Sequence, residues 1–235
     1  MSRTVALVAF CLLASTALVA RGAGKDDLQA AVKKLADAPS YAWTSETKGG
    51  FGGGTAEGKA EKDGFTVVKM HVFENDIEVV KKGEKGAVKM EEGWKSFAEA
   101  AEGGQEGQPN RGRFIALMMR NYKAPAAVAQ QLVSAIKEVK QSDDALEAEL
   151  TEAGAKELLS FRARQGGDAP AISGAKGTAR FWLKDGVISK LEYHLTGSIN
   201  FNGQDRDIDR TTTIEIKDVG TAKAEVPEEA KKKVS

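Results

Sequence analysis

Cysteine is nearly absent from this chain. Its 235 residues include one, Cys11, which lies inside an apolar N-terminal run. The rest can form no disulfide and offers no thiol nucleophile or thiolate metal ligand. Histidine is almost as scarce: His71 and His194 are too few for a multi-histidine zinc site. An excess of charge of one sign is also missing. Lys+Arg and Asp+Glu number 34 each, and removing a leader with Arg3 and Arg21 leaves the acids ahead by two. That balance gives no reason to expect nucleic acid or an acidic membrane as the main partner. The Lys231-Lys232-Lys233 tail reads as solvated.

The familiar catalytic signatures are lacking too. There is no Gly-x-Ser-x-Gly and no His-Glu-x-x-His. Gly53 to Ala60 nearly fits a phosphate loop, but Ala60 replaces the required hydroxyl and strand-like residues follow. Asp205, Asp207 and Asp209 alternate as in some calcium loops. An EF-hand would need glycine at Arg210 and glutamate at Ile216, so a solvated hairpin end is expected. His194 should lie on a wet strand face, and His71, between Met70 and Val72, should be partly buried. No catalytic residue, metal or cofactor is expected. A hydrolase with paired carboxylates is the enzymatic alternative, because such pairing is spatial.

What is present begins with a leader. Arg3 and the apolar run Val5 to Val19 read as a secretory signal peptide over residues 1–24, ending at Ala20 or Gly24. An uncleaved anchor is the alternative. Cys11 lies too early, after bulky Phe10, for a lipoprotein cleavage site, so no lipid anchor is expected. Residues 25–235 suit a single domain, periplasmic or secreted and monomeric.

The order of elements is helix, strands, helices, strands. Leu28, Ala31, Val32, Leu35 and Ala36 make one helical stripe from Asp26 to Ala38, capped by Asp26 or Asp27 and ended by Pro39. Tyr41-Ala42-Trp43-Thr44 starts a strand. A glycine loop, Gly49 to Gly54, precedes hairpins over 55–73 and 77–90, the first turning at Asp63-Gly64. Glu92-Gly93 turns the chain into Trp94 to Phe97, and 101–112 reads as a loop. Phe114 to Tyr122 is an over-apolar helix. A second helix from Pro125 carries Val128, Leu132, Ala135, Ile136 and Val139 on one stripe. Leu146, Ala148 and Leu150 alternate as a strand, Thr151 caps a helix to Leu159, and 165–177 reads as a loop.

Val187 to Phe201 is the strongest single signal. From Leu191 every odd position is apolar or glycine and every even one polar, the pattern of a strand with one dry face. At ~3.3 Å per residue it would run about 50 Å, so it must bend, and Gly197 is the cheapest place. The alternation on either side of Asp185-Gly186 favours a three-residue bulged turn pairing Leu183 with Val187. A second hairpin turns near Asn202-Gly203 and returns through Ile208, Ile214 and Ile216. The fold class is α+β with a large, curved, mainly antiparallel sheet.

The candidate site is apolar. It comprises Tyr41 and Trp43 of the first strand, Phe114, Leu117 and Met118 of the central helix, and Phe181, Leu183, Leu191, Tyr193 and Leu195 of the late strands. Either the central helix plugs the sheet there or it leaves a ligand cavity. Several motifs resemble the bacterial lipoprotein-carrier superfamily (LolA/LolB-like, with the mycobacterial glycolipid-carrier lipoproteins). They are Glu92-Gly93-Trp94-Lys95, Thr151 to Leu159, Lys184-Asp185-Gly186-Val187-Ile188, and Ile216 to Gly220 running on to Val226-Pro227. The resemblance implies a half-open β-barrel with helices over its concave face, an acyl-chain cavity and no enzyme activity. It also implies an acyl lipid or lipidated protein as partner, with at most transient membrane contact. An envelope module of the same fold with a filled cavity is the second reading.

Overall fold

The computed structural model describes residues 24–50, 53–72, 75–102, 110–160, 171–201 and 204–234. The leader with Cys11, most of the 101–112 loop, residues 161–170 and the Asn202-Gly203 turn lie outside the described residues.

Local rules start the chain. Helix α1 (Lys25–Asp37) starts after Gly24, and Asp27, from inside the first turn, accepts from the Gly24 N–H through Oδ2 at 2.8 Å. Six strands follow as a meander: β1 (Ser40–Gly49), β2 (Gly54–Glu61), β3 (Thr66–Val72), β4 (Asn75–Lys82), β5 (Lys85–Met90) and β6 (Gly93–Ser96). Gly53 to Ala60 is therefore largely strand, which removes the phosphate-loop reading. Next come α2 (Phe97–Glu102), α3 (Arg111–Arg120) and α4 (Pro125–Ser134). A second meander holds β7 (Ile136–Ser142), β8 (Ala145–Leu150), β9 (Ile172–Lys184), β10 (Val187–Phe201) and β11 (Gln204–Lys217). Helix α5 (Glu152–Leu159) follows β8, and α6 (Glu228–Lys233) ends the described chain.

The two meanders join through their outer members. β1 pairs antiparallel with β11, giving one 11-stranded sheet in the order β6-β5-β4-β3-β2-β1-β11-β10-β9-β8-β7. All its pairings are antiparallel, and β6 and β7 remain as edges. The fold is an α+β half-barrel, open rather than closed.

Several expectations change. The Asp185-Gly186 turn is a two-residue loop, with Val187 opposite Lys184. Both loop residues have positive φ, 55° and 71°, the conformation a tight hairpin turn of matching twist needs. The faces are realigned one step later by a bulge: Ile188 opposes Leu183, Ser189 is extra, and Lys190 opposes Trp182. Ser189 Oγ donates to the Trp182 carbonyl at 3.1 Å. Leu191 then faces Phe181, and both are fully buried. The apolar alternation is real, but a bulge rather than the turn sets its register. A second irregularity falls at Gly197, where the bend was expected, against Ser173 to Lys176 of β9.

The helix from Pro125 stops at Ser134, and Ile136 and Val139 belong to the edge strand β7. Residues 172–177 are strand rather than loop. Arg111 and Gly112 open α3 rather than ending a loop, since Asn110 Oδ1 accepts from the Arg113 N–H at 2.8 Å. α2 went unforeseen, although Ser96-Phe97-Ala98-Glu99 carries a capping box. The Glu99 N–H donates to Ser96 Oγ at 3.2 Å, and the Ser96 N–H to Glu99 Oε2 at 2.7 Å.

One face of the sheet carries the main core. Leu28 and Leu35 of α1, Ile115 and Met119 of α3, Leu132 of α4 and Leu159 of α5 all join it. Each such side chain stabilises the fold by roughly 1.5–3 kcal/mol relative to exposure. The helix over the long strand is not α3. α1 and α5 pack on β10, whereas α3 packs on α2 and β5.

The other face has its own small cluster: Val80, Ala87 and Trp94 of the sheet against Ala230 and Val234 of the C-terminal segment. The lysine tail is therefore partly a tether, because Lys233 Nζ donates to Glu99 Oε1 at 2.6 Å. That bond, with those from Ser96, holds the Glu99 carboxyl down at about 2. A lowered carboxylate pKa adds stability above the unfolded value, lost as pH falls through the folded one. The tether is therefore expected to release as pH drops from the ordinary glutamate range (about 4.3) towards 2. Hydrogen exchange of α6 across that window should show it, and Glu99→Gln should remove the pH dependence. Unchanged α6 protection in wild type down to pH 2 would contradict it.

Candidate functional site

Trp43 is the pivot of the interior. It is 2% exposed, and its ring lies over Gly58 on the neighbouring strand, where an added Cβ would sit 2.2 Å from it. Tyr41 tilts against it with ring centroids 5.7 Å apart. The Tyr41 hydroxyl accepts from the Ala126 N–H at 3.4 Å, and Tyr122 packs against the same core. Burial raises both phenol pKa values, so the group is neutral, aromatic and largely dry. Beside it Lys81 Nζ donates to the Met119 carbonyl at 2.9 Å. It satisfies the C-terminal end of α3, and burial lowers its pKa.

The ten candidate residues do not converge on one space. Phe181, Leu191 and Leu195 have no exposure, and Tyr41 and Trp43 are buried. Leu183 and Tyr193 are half-buried against the same core. Leu117 and Met118 are half-buried, and Phe114 is 50% exposed on the outward side of α3. The strand face around Leu191 is thus filled, and it is filled by α1 and α5.

A large space lies elsewhere, over the first meander. A cavity of about 1050 Å³ is lined by residues of β1 to β6, the Glu91-Glu92 turn, β11 and the start of α3, and by none of the ten candidates. Strand register explains why it is there. Ser45 opposes Ala56, Ala56 opposes Met70, and Met70 opposes Ile77. These side chains share the face of Trp43, Val68 and Val79, since side chains alternate along each strand. Two residues along the same strands from the glycine that Trp43 covers, Ser45 and Ala56 present almost no side chain. The space they leave is bordered by Met70, Ile77 and Met90, with Arg111 at the head of α3. The lining also includes Glu57, Lys69, Glu78 and Lys89, which alternation assigns to the opposite face.

No family model matches the chain, and no curated protein does. Similar folds exist among solved structures. The lipoprotein LppX of Mycobacterium tuberculosis is 8% identical, with a TM-score of 0.47 over 86% of this chain and 97% of that one. LprF from Mycobacterium bovis is 12% identical, with a TM-score of 0.46 over 88% of this chain and 96% of that one.

The polar candidates behave as surface groups. His71 is exposed, against expectation, because it points to the outer face; its Nδ1 lies 2.9 Å from Asp76 Oδ1. His194 Nε2 lies 2.8 Å from Asp209 Oδ1. Asp205, Asp207 and Asp209 are exposed on β11. No group of three His, Cys, Asp or Glu that could hold a metal occurs among the described residues.

Proposed function

We propose that this is an exported, non-enzymatic binding protein that holds an acyl chain or a lipidated partner in its half-barrel. The cavity bounded by Ser45, Ala56, Met70, Ile77, Met90 and Arg111 carries the reading. Its volume matches the upper end of ligand pockets, about 300–1,000 Å³. Met70 and Met90 give it adaptable apolar walls, suited to a flexible chain. Arg111 supplies a cation for an anionic head. Binding would be driven by apolar burial, worth about 25 cal/mol per Å² before ordering costs.

The filled strand face around Leu191 favours the second reading, an envelope module without cargo, for that half of the interior only. Native mass spectrometry of the mature protein, with lipid extraction, separates the two. A co-purifying acyl lipid, or saturable displacement of a fluorescent fatty acid, is expected. Neither lipid nor displacement would leave the module.

A further inference from the structure

Helix α3 faces two different surroundings. Gly112, Ile115, Ala116 and Met119 are buried in the protein. The side away from them carries Phe114, half exposed, with half-buried Leu117 three residues on beside it; Met118, four on, flanks it while packing partly on the core. The sequence showed more apolar surface on this helix than one stripe needs, and the surplus points outward.

The charges around that stripe are one-sided. Arg111, Arg113 and Arg120 lie on α3, which has no acidic residue. From 107 to 137 the chain carries Arg111, Arg113, Arg120, Lys123 and Lys137 and no Asp or Glu, although its total charge is zero. Lys123 donates to Gln131 Oε1 and Lys137 pairs with Glu149. The three arginines have no ion pair among the described residues, where other surface cations commonly do. Overall neutrality therefore conceals a helix whose own charges are all positive and flank an apolar stripe, although Glu91 and Glu92 lie with Arg111 around the cavity.

We infer that α3 docks the protein reversibly on an anionic phospholipid surface. Phe114, with Leu117 and Met118, enters the boundary between headgroups and chains, and the arginines meet lipid phosphates. A second copy does not suit this face, because like charges would meet. An acidic protein would satisfy the arginines but gives no reason for the central phenylalanine. Arg111 also borders the cavity, so docking would bring the cavity beside the lipid. The inference holds whatever the cavity contains.

The test is sedimentation of the mature protein with vesicles of phosphatidylglycerol and phosphatidylcholine in equal parts, and with pure phosphatidylcholine. Binding to the first alone, weakened by salt, is expected. Each basic residue near such a surface is worth roughly fivefold in partitioning. Arg113→Glu/Arg120→Glu should therefore cost more than tenfold, whereas Lys59→Glu, on exposed strand β2, should leave binding unchanged. Phe114→Trp should shift its emission to the blue on the anionic vesicles, a readout in a protein with all its arginines. Equal binding to both vesicles, equal loss from Lys59→Glu, or no emission shift would overturn the inference. So would polyglutamate binding as tight as vesicle binding, which would point to an acidic protein instead.

Discussion

Phe181→Ala is expected to lower the unfolding free energy by about 3–5 kcal/mol, as for other fully buried phenylalanines. Phe181 has no exposure and sits in the middle of the second meander, opposite Leu191 on one side and Leu146 on the other. Removing its ring leaves a hole that three fixed strands cannot close. Urea denaturation measures the loss. Fatty-acid affinity in the surviving folded protein should stay near wild type, because Phe181 does not border the cavity. An unchanged midpoint with weakened binding would instead restore the Leu191 face as the ligand site.

Ala56→Trp is expected to do the reverse. Ala56 is half-buried and borders the cavity, so an indole there occupies the space a chain would use. Affinity for a fluorescent fatty acid should fall at least tenfold, about 1.4 kcal/mol or more. The urea midpoint should move little, since the ring enters a space already open. Retained affinity would remove this cavity from consideration. The two variants thus separate the half of the interior that packing fills from the half proposed for cargo.

Much of the fold could be read from the residues. Val187 to Phe201 is a 15-residue strand with the bounds its alternation gave, and Thr151 caps α5 by accepting from the Gly154 N–H at 3.1 Å. Misreadings came where two signals compete. Asp185-Gly186 asks for a two-residue turn, while the flanking alternation asks for a different register; Ser189 reconciles them by stepping out of the ladder. Ile136 and Val139 continue the helical spacing of Leu132, but they sit in β7, paired with β8.

The site was harder to read because a cavity is made by what is small. Aromatic and aliphatic stripes drew attention to Leu191 and Phe181, and those stripes are where packing is complete. Ser45 and Ala56 looked unremarkable alone. Their importance appears only when register places them opposite each other, beside Met70 and Ile77. Alternation through the first two hairpins held that information, though not the distance between partners.

The β1–β11 seam has a consequence for how the molecule is made. Ala42 pairs with Lys217 and Gly49 with Arg210, partners far apart in sequence. Within each meander, neighbouring strands are local and can pair as they emerge. The seam cannot, and closing so long a loop is the slow, entropically costly kind of step. Strand β11 must be made before the two halves can fuse, so until then the first meander has to stand without the neighbour that covers the outer edge of β1.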